Sequence, residues 1–225
     1  MPYVENRIVH DADSHLMELT DCLDDFLDPK FRAAYDDLPK VKAWPRDVKL
    51  ATHARLQHDD PAYRALNPNG LVPTLQDGDA VIWESNTILR YLCATYGGAV
   101  LHPVAPLRRS DVERWMDWQL SRLNPSMTVL LLGYYRMPPE KRDAAALEAA
   151  RQQAIGQWRI IETWLDHRDY LVGDGLTLAD IGKGILAYRW FNYPLERPEL
   201  PRVAGWLDRL ARRAGFLAHV AGPIA

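Results

Sequence analysis

The stretch that decides the fold is Ala65-Leu-Asn-Pro-Asn-Gly-Leu-Val-Pro-Thr-Leu-Gln-Asp-Gly-Asp-Ala-Val-Ile-Trp-Glu-Ser-Asn-Thr-Ile-Leu-Arg-Tyr-Leu92. Two short apolar runs, Leu71 to Leu75 and Ala80 to Trp83, flank Gln76-Asp-Gly-Asp, whose Asp-Gly pair predicts a tight β-hairpin. Pro73 removes a ladder donor from the first run, so that strand belongs at an edge or beside a ligand. The Val72 backbone N–H and C=O are then free to take an extended peptide as an added strand. Ser85 is expected to cap a helix that buries Ile88, Leu89, Leu92 and Cys93. A helix N-terminus offers N–H groups and a partial positive charge to a carboxylate, and Glu84 beside it suits an ammonium. Each piece alone reads more simply as an edge strand, an N-cap and a charge placed well for the helix dipole.

Working outward, the C-terminal half carries helical periodicity. Val112, Trp115, Met116, Gln119, Leu120 and Leu123 recur at three- and four-residue spacing, and Pro125 is expected to kink or interrupt that helix. Met137-Pro138-Pro139 ends it. Lys141 to Leu165 then reads as a second helix with Leu147, Ala150, Ala154, Trp158, Ile161 and Leu165 on one face. Thr177 and Asp180 have capping-box spacing and open a third helix, and a last helix is expected near Val203 to Ala211. The half from residue 107 onward is therefore all-helical, with residues 99–106, which follow Gly97-Gly98 and carry Pro103 and Pro106, as a linker.

Composition limits the function classes. The 225 residues are 48% apolar, enough for a substantial core, and the formal charge of −3 gives no global basic field for nucleic acid or anionic membrane. Two cysteines, Cys22 and Cys93, make neither a disulfide framework nor a zinc set, as expected of a cytoplasmic chain. No apolar run approaches a membrane span, and the first residues lack the basic and apolar regions of a signal peptide.

Together, Asn67-Pro-Asn-Gly-Leu-Val-Pro-Thr-Leu, the Asp-Gly hairpin, Trp83-Glu84-Ser85-Asn86-Thr87-Ile88-Leu89-Arg90-Tyr91-Leu92 and Leu176-Thr-Leu-Ala-Asp-Ile resemble glutathione S-transferases of the bacterial type over about residues 58–220. The resemblance implies a thioredoxin-like half, with residues 58–98 as its glutathione-binding part, followed by the all-helical domain. It implies Val72 paired to the cysteinyl backbone of glutathione, Pro73 in cis, and Glu84 with Ser85 on the γ-glutamyl end. A homodimer taking glutathione and a small electrophilic or hydrophobic molecule is implied too, with Arg114, Trp115, Trp118 and Tyr135 as candidates for the second pocket. Thr177 and Asp180 remain a structural cap in this reading.

Residues 1–57 are different in kind. A strand near Arg7 to Val9, a helix around Asp21 to Leu27 and an extended piece near Val48 to Ala51 are expected there, in the order a thioredoxin-like half needs. Arg7-Ile-Val-His-Asp-Ala-Asp-Ser-His-Leu-Met-Glu, continuing to Phe26-Leu-Asp-Pro-Lys-Phe-Arg32, resembles the opening of a metal-dependent amidohydrolase, with Asp13 and His15 as the metal pair. Such a hydrolase needs further ligands from later barrel strands, and the chain supplies helices instead, so no metal is expected. Glutathione S-transferases use a Ser, Tyr or Cys near the first strand-to-helix turn to stabilise the glutathione thiolate, and Ser14 is the candidate here. Two further readings stand beside the enzyme: a non-catalytic glutathione-binding or dimerising protein of the same fold, and a metal-hydrolase remnant.

Overall fold

The computed structural model describes residues 7–10 and 61–221, and the chain divides into two compact units, Met1–Ala99 and Val100–Ala225. The expected helix around Asp21 and extended piece near Val48 lie outside the described residues, as do Asp13, Ser14, His15 and Cys22.

In the first unit, β1 (Arg7–His10), β2 (Thr74–Asp77) and β3 (Ala80–Trp83) form an antiparallel sheet in that order. The strand expected near Arg7 is thus present and pairs with β2. Two details of the hairpin differ from expectation. The first run enters the ladder only at Thr74, because Pro73 has no N–H to donate, and Leu71 is 56% exposed. The turn centres on Gly78-Asp79, one residue beyond the Asp-Gly pair, since Asp77 and Ala80 are register partners. Gly78 sits at φ 60 in the first central position, where a type II′ turn calls for glycine.

Helix α1 (Pro61–Leu66) precedes β2, and α2 (Ser85–Tyr96) follows β3. All four residues expected on the buried face of α2, Ile88, Leu89, Leu92 and Cys93, are buried. The helix ends at Gly97, which takes the left-handed conformation (φ 89) of a C-terminal stop. Tyr91 and Tyr96 both donate their hydroxyls to Asp77 Oδ2, which ties the hairpin to α2.

The second unit is all-helical. Helix α3 (Pro106–Trp118) runs through a π-helical turn (Gln119–Leu123) into α4 (Asn124–Leu131) and a second π-helical stretch (Leu132–Arg136). The interruption expected at Pro125 takes this form: a proline in mid-helix cannot bond to the carbonyl a turn earlier, and the chain widens just before it. Leu120 falls on this wider turn and is 38% exposed, whereas Val112, Trp115, Met116, Gln119 and Leu123 are buried. After the short 3-10 turn Pro139–Lys141, α5 (Ala144–Trp164) starts later than expected, because the Asp143 side chain accepts from the Ala146 amide and sets the N-cap there. Its predicted face from Leu147 to Leu165 is buried throughout.

Helix α6 (Leu178–Asn192) opens on the Thr177–Asp180 capping box, and α7 (Pro201–Ala211) and a further short α8 (Ala214–His219) close the unit. Trp158, Trp190 and Trp206 are fully buried, and each such ring contributes about 2–3 kcal/mol by leaving water. No helix among the described residues is long and apolar enough to cross a membrane.

Candidate functional site

The register of the sheet gathers one end of the first unit. Thr74 is paired with His10 on one side and Trp83 on the other. The end of β1, the start of β2 after Pro73, and the Glu84-Ser85 entry into α2 therefore share one end of the sheet, and β2 is its central strand, not the edge strand that Pro73 suggested. The Val72–Pro73 peptide is cis, and Val72 precedes the ladder, so its amide and carbonyl lie outside the strand register.

The loop that presents Val72 is held from below by side chains the sequence reading did not single out. Tyr63, Asn67 and Thr74 are all buried. The Tyr63 hydroxyl donates to the Leu71 carbonyl at 2.8 Å and lies 2.8 Å from Thr74 Oγ1. Asn67 Nδ2 donates to the same carbonyl at 2.6 Å and to Thr74 Oγ1 at 3.2 Å. A hydroxyl has one proton, so with Tyr63 donating to Leu71, Thr74 donates to Tyr63 and accepts from Asn67. Asn67 Oδ1 in turn accepts from the Asn69 amide at 3.1 Å. Every polar atom of this cluster thus works to fix the backbone on either side of Val72-Pro73. The Asn67-Pro68 pair was a legible turn signal; nothing in the sequence around Tyr63 marks it as the partner.

Ser85 is not the cap. Glu84 is the N-cap residue of α2, at φ 71 and ψ 115, with no side-chain hydrogen bond to the helix, and Ser85 is the first helical residue. The reason is the sharp turn out of β3, which places Glu84 at positive φ, uncommon for a residue with a Cβ. Glu84 is exposed and Ser85 half-buried. The first N–H groups of a 12-residue helix are therefore left without a side-chain cap, beside an exposed carboxylate.

Cys93 is no nucleophile. Burial pushes its thiol up to about 12, so it stays protonated at neutral pH.

In the second unit the four pocket candidates separate. Arg114 and Trp115 line one cleft of about 180 Å³, whose other walls include Trp164 and Leu171. Trp118 meets the Trp115 ring edge-on at 5.3 Å. Tyr135 lies elsewhere, its hydroxyl donating to the Asn192 carbonyl at 3.1 Å and its ring 5.6 Å from Tyr193. Thr177 and Asp180 are structural, as expected. Asp180 is fully buried and accepts from the Leu171 and Thr177 amides, the Thr177 hydroxyl and Trp206 Nε1, all at 2.9–3.0 Å.

A thioredoxin-like half followed by an all-helical domain, with a cis-proline loop and an uncapped helix start at one end of the sheet, is the class of fold that the chain adopts. The chain belongs to the glutathione S-transferase family. Family models for the glutathione S-transferase N-terminal and C-terminal domains match residues 40–95 and 123–214. Glutathione S-transferase GstB of Escherichia coli K12 is 35% identical over 168 residues, 74% of this chain and 81% of that protein. Glutathione S-transferase 3 of Zea mays is 32% identical over 77% of this chain and 80% of its own. The theta-class glutathione S-transferase of Xanthomonas axonopodis pv. citri, solved with glutathione bound, superposes with a TM-score of 0.77 at 33% identity, covering all of both chains.

These matches correct the reading of the N-terminus. The N-terminal family match begins at residue 40, so residues 40–57 belong with the family instead of standing apart from it. The amidohydrolase resemblance of residues 1–40 is not supported: the family models and relatives that the chain matches are those of glutathione S-transferases.

Proposed function

We propose that the protein is a glutathione transferase that holds glutathione at this end of the sheet and joins its sulfur to a small electrophilic or hydrophobic molecule. Val72 pairs through its N–H and C=O with the cysteinyl backbone of the peptide. The γ-glutamyl carboxylate takes the uncapped N–H groups of α2 and the Ser85 hydroxyl, and Glu84 takes the ammonium. Ser14, which follows β1 in sequence, is the candidate donor to the thiolate. The thiol loses its proton to solvent, the sulfur forms a bond to the electrophilic carbon, and the leaving group departs with its electron pair. A homodimer in the cytoplasm, with no resident metal, completes this reading.

The observation that carries the proposal is the register His10–Thr74–Trp83. It lets one extended tripeptide meet Val72 at its middle and Glu84-Ser85 at one end, with its thiol toward the end of β1. Titration calorimetry with glutathione and a conjugation assay on a generic electrophile test it. Glu84→Ala and Ser85→Ala are each expected to weaken binding about tenfold or more, the loss of a hydrogen bond to a charged group. Unchanged affinity in both would overturn the site. Binding without turnover, indifferent to Ser14→Ala, would leave the non-catalytic binder as the function.

A further inference from the structure

The peptide unit between Leu71 and Val72 is trans, and in a trans unit the carbonyl and the following N–H point in opposite directions. Whatever holds the Leu71 carbonyl therefore aims the Val72 N–H. Two side chains hold it: the Tyr63 hydroxyl donates to this carbonyl at 2.8 Å and Asn67 Nδ2 at 2.6 Å. Both donors are fixed in that direction. Asn67 Oδ1 accepts from the Asn69 amide at 3.1 Å and from Asn69 Nδ2 at 3.2 Å, so the donor end of the Asn67 amide faces Leu71. The Tyr63 oxygen lies 2.8 Å from Thr74 Oγ1, which supplies the proton it accepts and leaves its own proton for Leu71.

Burial keeps this cluster from touching a ligand: Tyr63 is 4% exposed, Asn67 3% and Thr74 0%. The Val72 N–H has the opposite character. It precedes the ladder and meets no acceptor among the described residues. Half a rotation of the same peptide plane would present the Leu71 carbonyl in its place, an acceptor facing the carbonyl of any peptide laid along the loop. That rotation would also strip Tyr63 and Asn67 of their shared acceptor in the buried interior, which is costly.

We infer that Tyr63 is a positioning residue for glutathione: with Asn67 it locks the Leu71–Val72 peptide plane so that the Val72 N–H stands ready for an extended peptide. The inference rests on Val72 being the peptide-binding backbone proposed above, and it names the side chain that orients it. A lock of this kind lowers the cost of binding. Once glutathione is bound, the peptide itself holds the Val72 N–H, so the lock acts on affinity and not on turnover.

Tyr63→Phe tests it, because the variant keeps the buried ring and deletes the hydroxyl. Its matched control is Tyr91→Phe, which deletes one of the two hydroxyls donated to Asp77 Oδ2 at the turn end of the same hairpin. In titration calorimetry Tyr63→Phe is expected to bind glutathione about five- to tenfold more weakly than the native protein, and Tyr91→Phe to stay within about twofold of it. In the conjugation assay KM for glutathione is expected to rise by the same factor in Tyr63→Phe, with kcat and the KM for the electrophile within about twofold of native. A further readout needs no ligand: the Val72 amide resonance is expected to be sharp in the native protein and in Tyr91→Phe, and broadened by exchange in Tyr63→Phe. Unchanged affinity in Tyr63→Phe, equal losses in the two variants, or a fall in kcat at constant KM would each overturn the proposal. Native protein that does not bind glutathione would overturn the reading of the site and this role with it. Native binding together with a Val72 resonance unmoved by Tyr63→Phe would overturn the role alone. If the native protein binds without turnover, calorimetry and the resonance decide.

Discussion

Helices α2 and α6 both begin beside an acidic residue, yet they start in opposite ways. At α6 the N-cap Thr177 accepts from the Ala179 amide, and Asp180 gathers four donors in full burial. At α2 the N-cap Glu84 is exposed, holds positive φ and caps nothing. One helix start has used its hydrogen-bonding capacity on the fold, and the other has kept it. The same element thus serves as an anchor where its donors are consumed internally and as a binding edge where they are not. The contrast also explains why the acidic residue in one case is buried and in the other faces outward.

The largest effect that sharpens this contrast is Asp180→Ala. It strips the acceptor from the Leu171 and Thr177 amides and from Trp206 Nε1, all in the buried interior. Loss of about 3–5 kcal/mol is expected in chemical denaturation, with the glutathione affinity of the folded protein little changed. A loss under about 1 kcal/mol would mean that the α6 terminus is not the anchor described.

Lys183 gives the next test, because it lies one turn into the same closed helix. It is fully buried and donates to the Trp115 carbonyl at 2.8 Å. Burial pulls its ammonium down to about 7, opposed by the nearby Asp180 carboxylate, whose own proton affinity burial raises. Between about 7 and the ordinary 10.5 the unfolded chain holds a proton that the folded chain has released. Stability from this group therefore rises with pH across that window and is lost as pH falls through 7. Relative to Lys183→Met, the native protein is expected to gain stability from pH 7 to 10, by at most about 4 kcal/mol at about 1.4 kcal/mol per unit. A flat difference would show that the lysine keeps its charge when buried. The Trp115 carbonyl also accepts from the Gln119 amide, so the methionine variant leaves it partnered.

Local chemistry made much of this legible in advance. Thr177 and Asp180 announce a cap because both halves of the capping box are short-range, and the α5 stripe from Leu147 to Leu165 appears because one periodic face meets the core. What stayed hidden depends on partners distant in sequence or on backbone geometry. No spacing rule links Tyr63 to Leu71 and Thr74, or Arg168 and Trp164 to Trp115. Positive φ at Glu84 was hidden for another reason: propensity rules read Glu before Ser as an ordinary helix start, and the turn out of β3 overrides them.

That override gives the finest test of the comparison. Glycine adopts φ 71 without the steric penalty of a Cβ, so Glu84→Gly removes local strain while deleting the carboxylate. The substitution also loosens the unfolded chain, which offsets part of the gain, and a net stabilisation of about 1 kcal/mol is expected. Glutathione affinity should fall at the same time. Glu84→Ala isolates the two effects: alanine keeps the Cβ and its strain, so stability stays near that of the native protein while affinity drops as it does for glycine. Opposite signs in stability and binding for Glu84→Gly, with only the binding loss in Glu84→Ala, mark a helix start held open for a ligand at the expense of the fold. If glycine instead destabilises the protein, the conformation at Glu84 is not strained, and the contrast between the two helix starts reduces to which donors are buried.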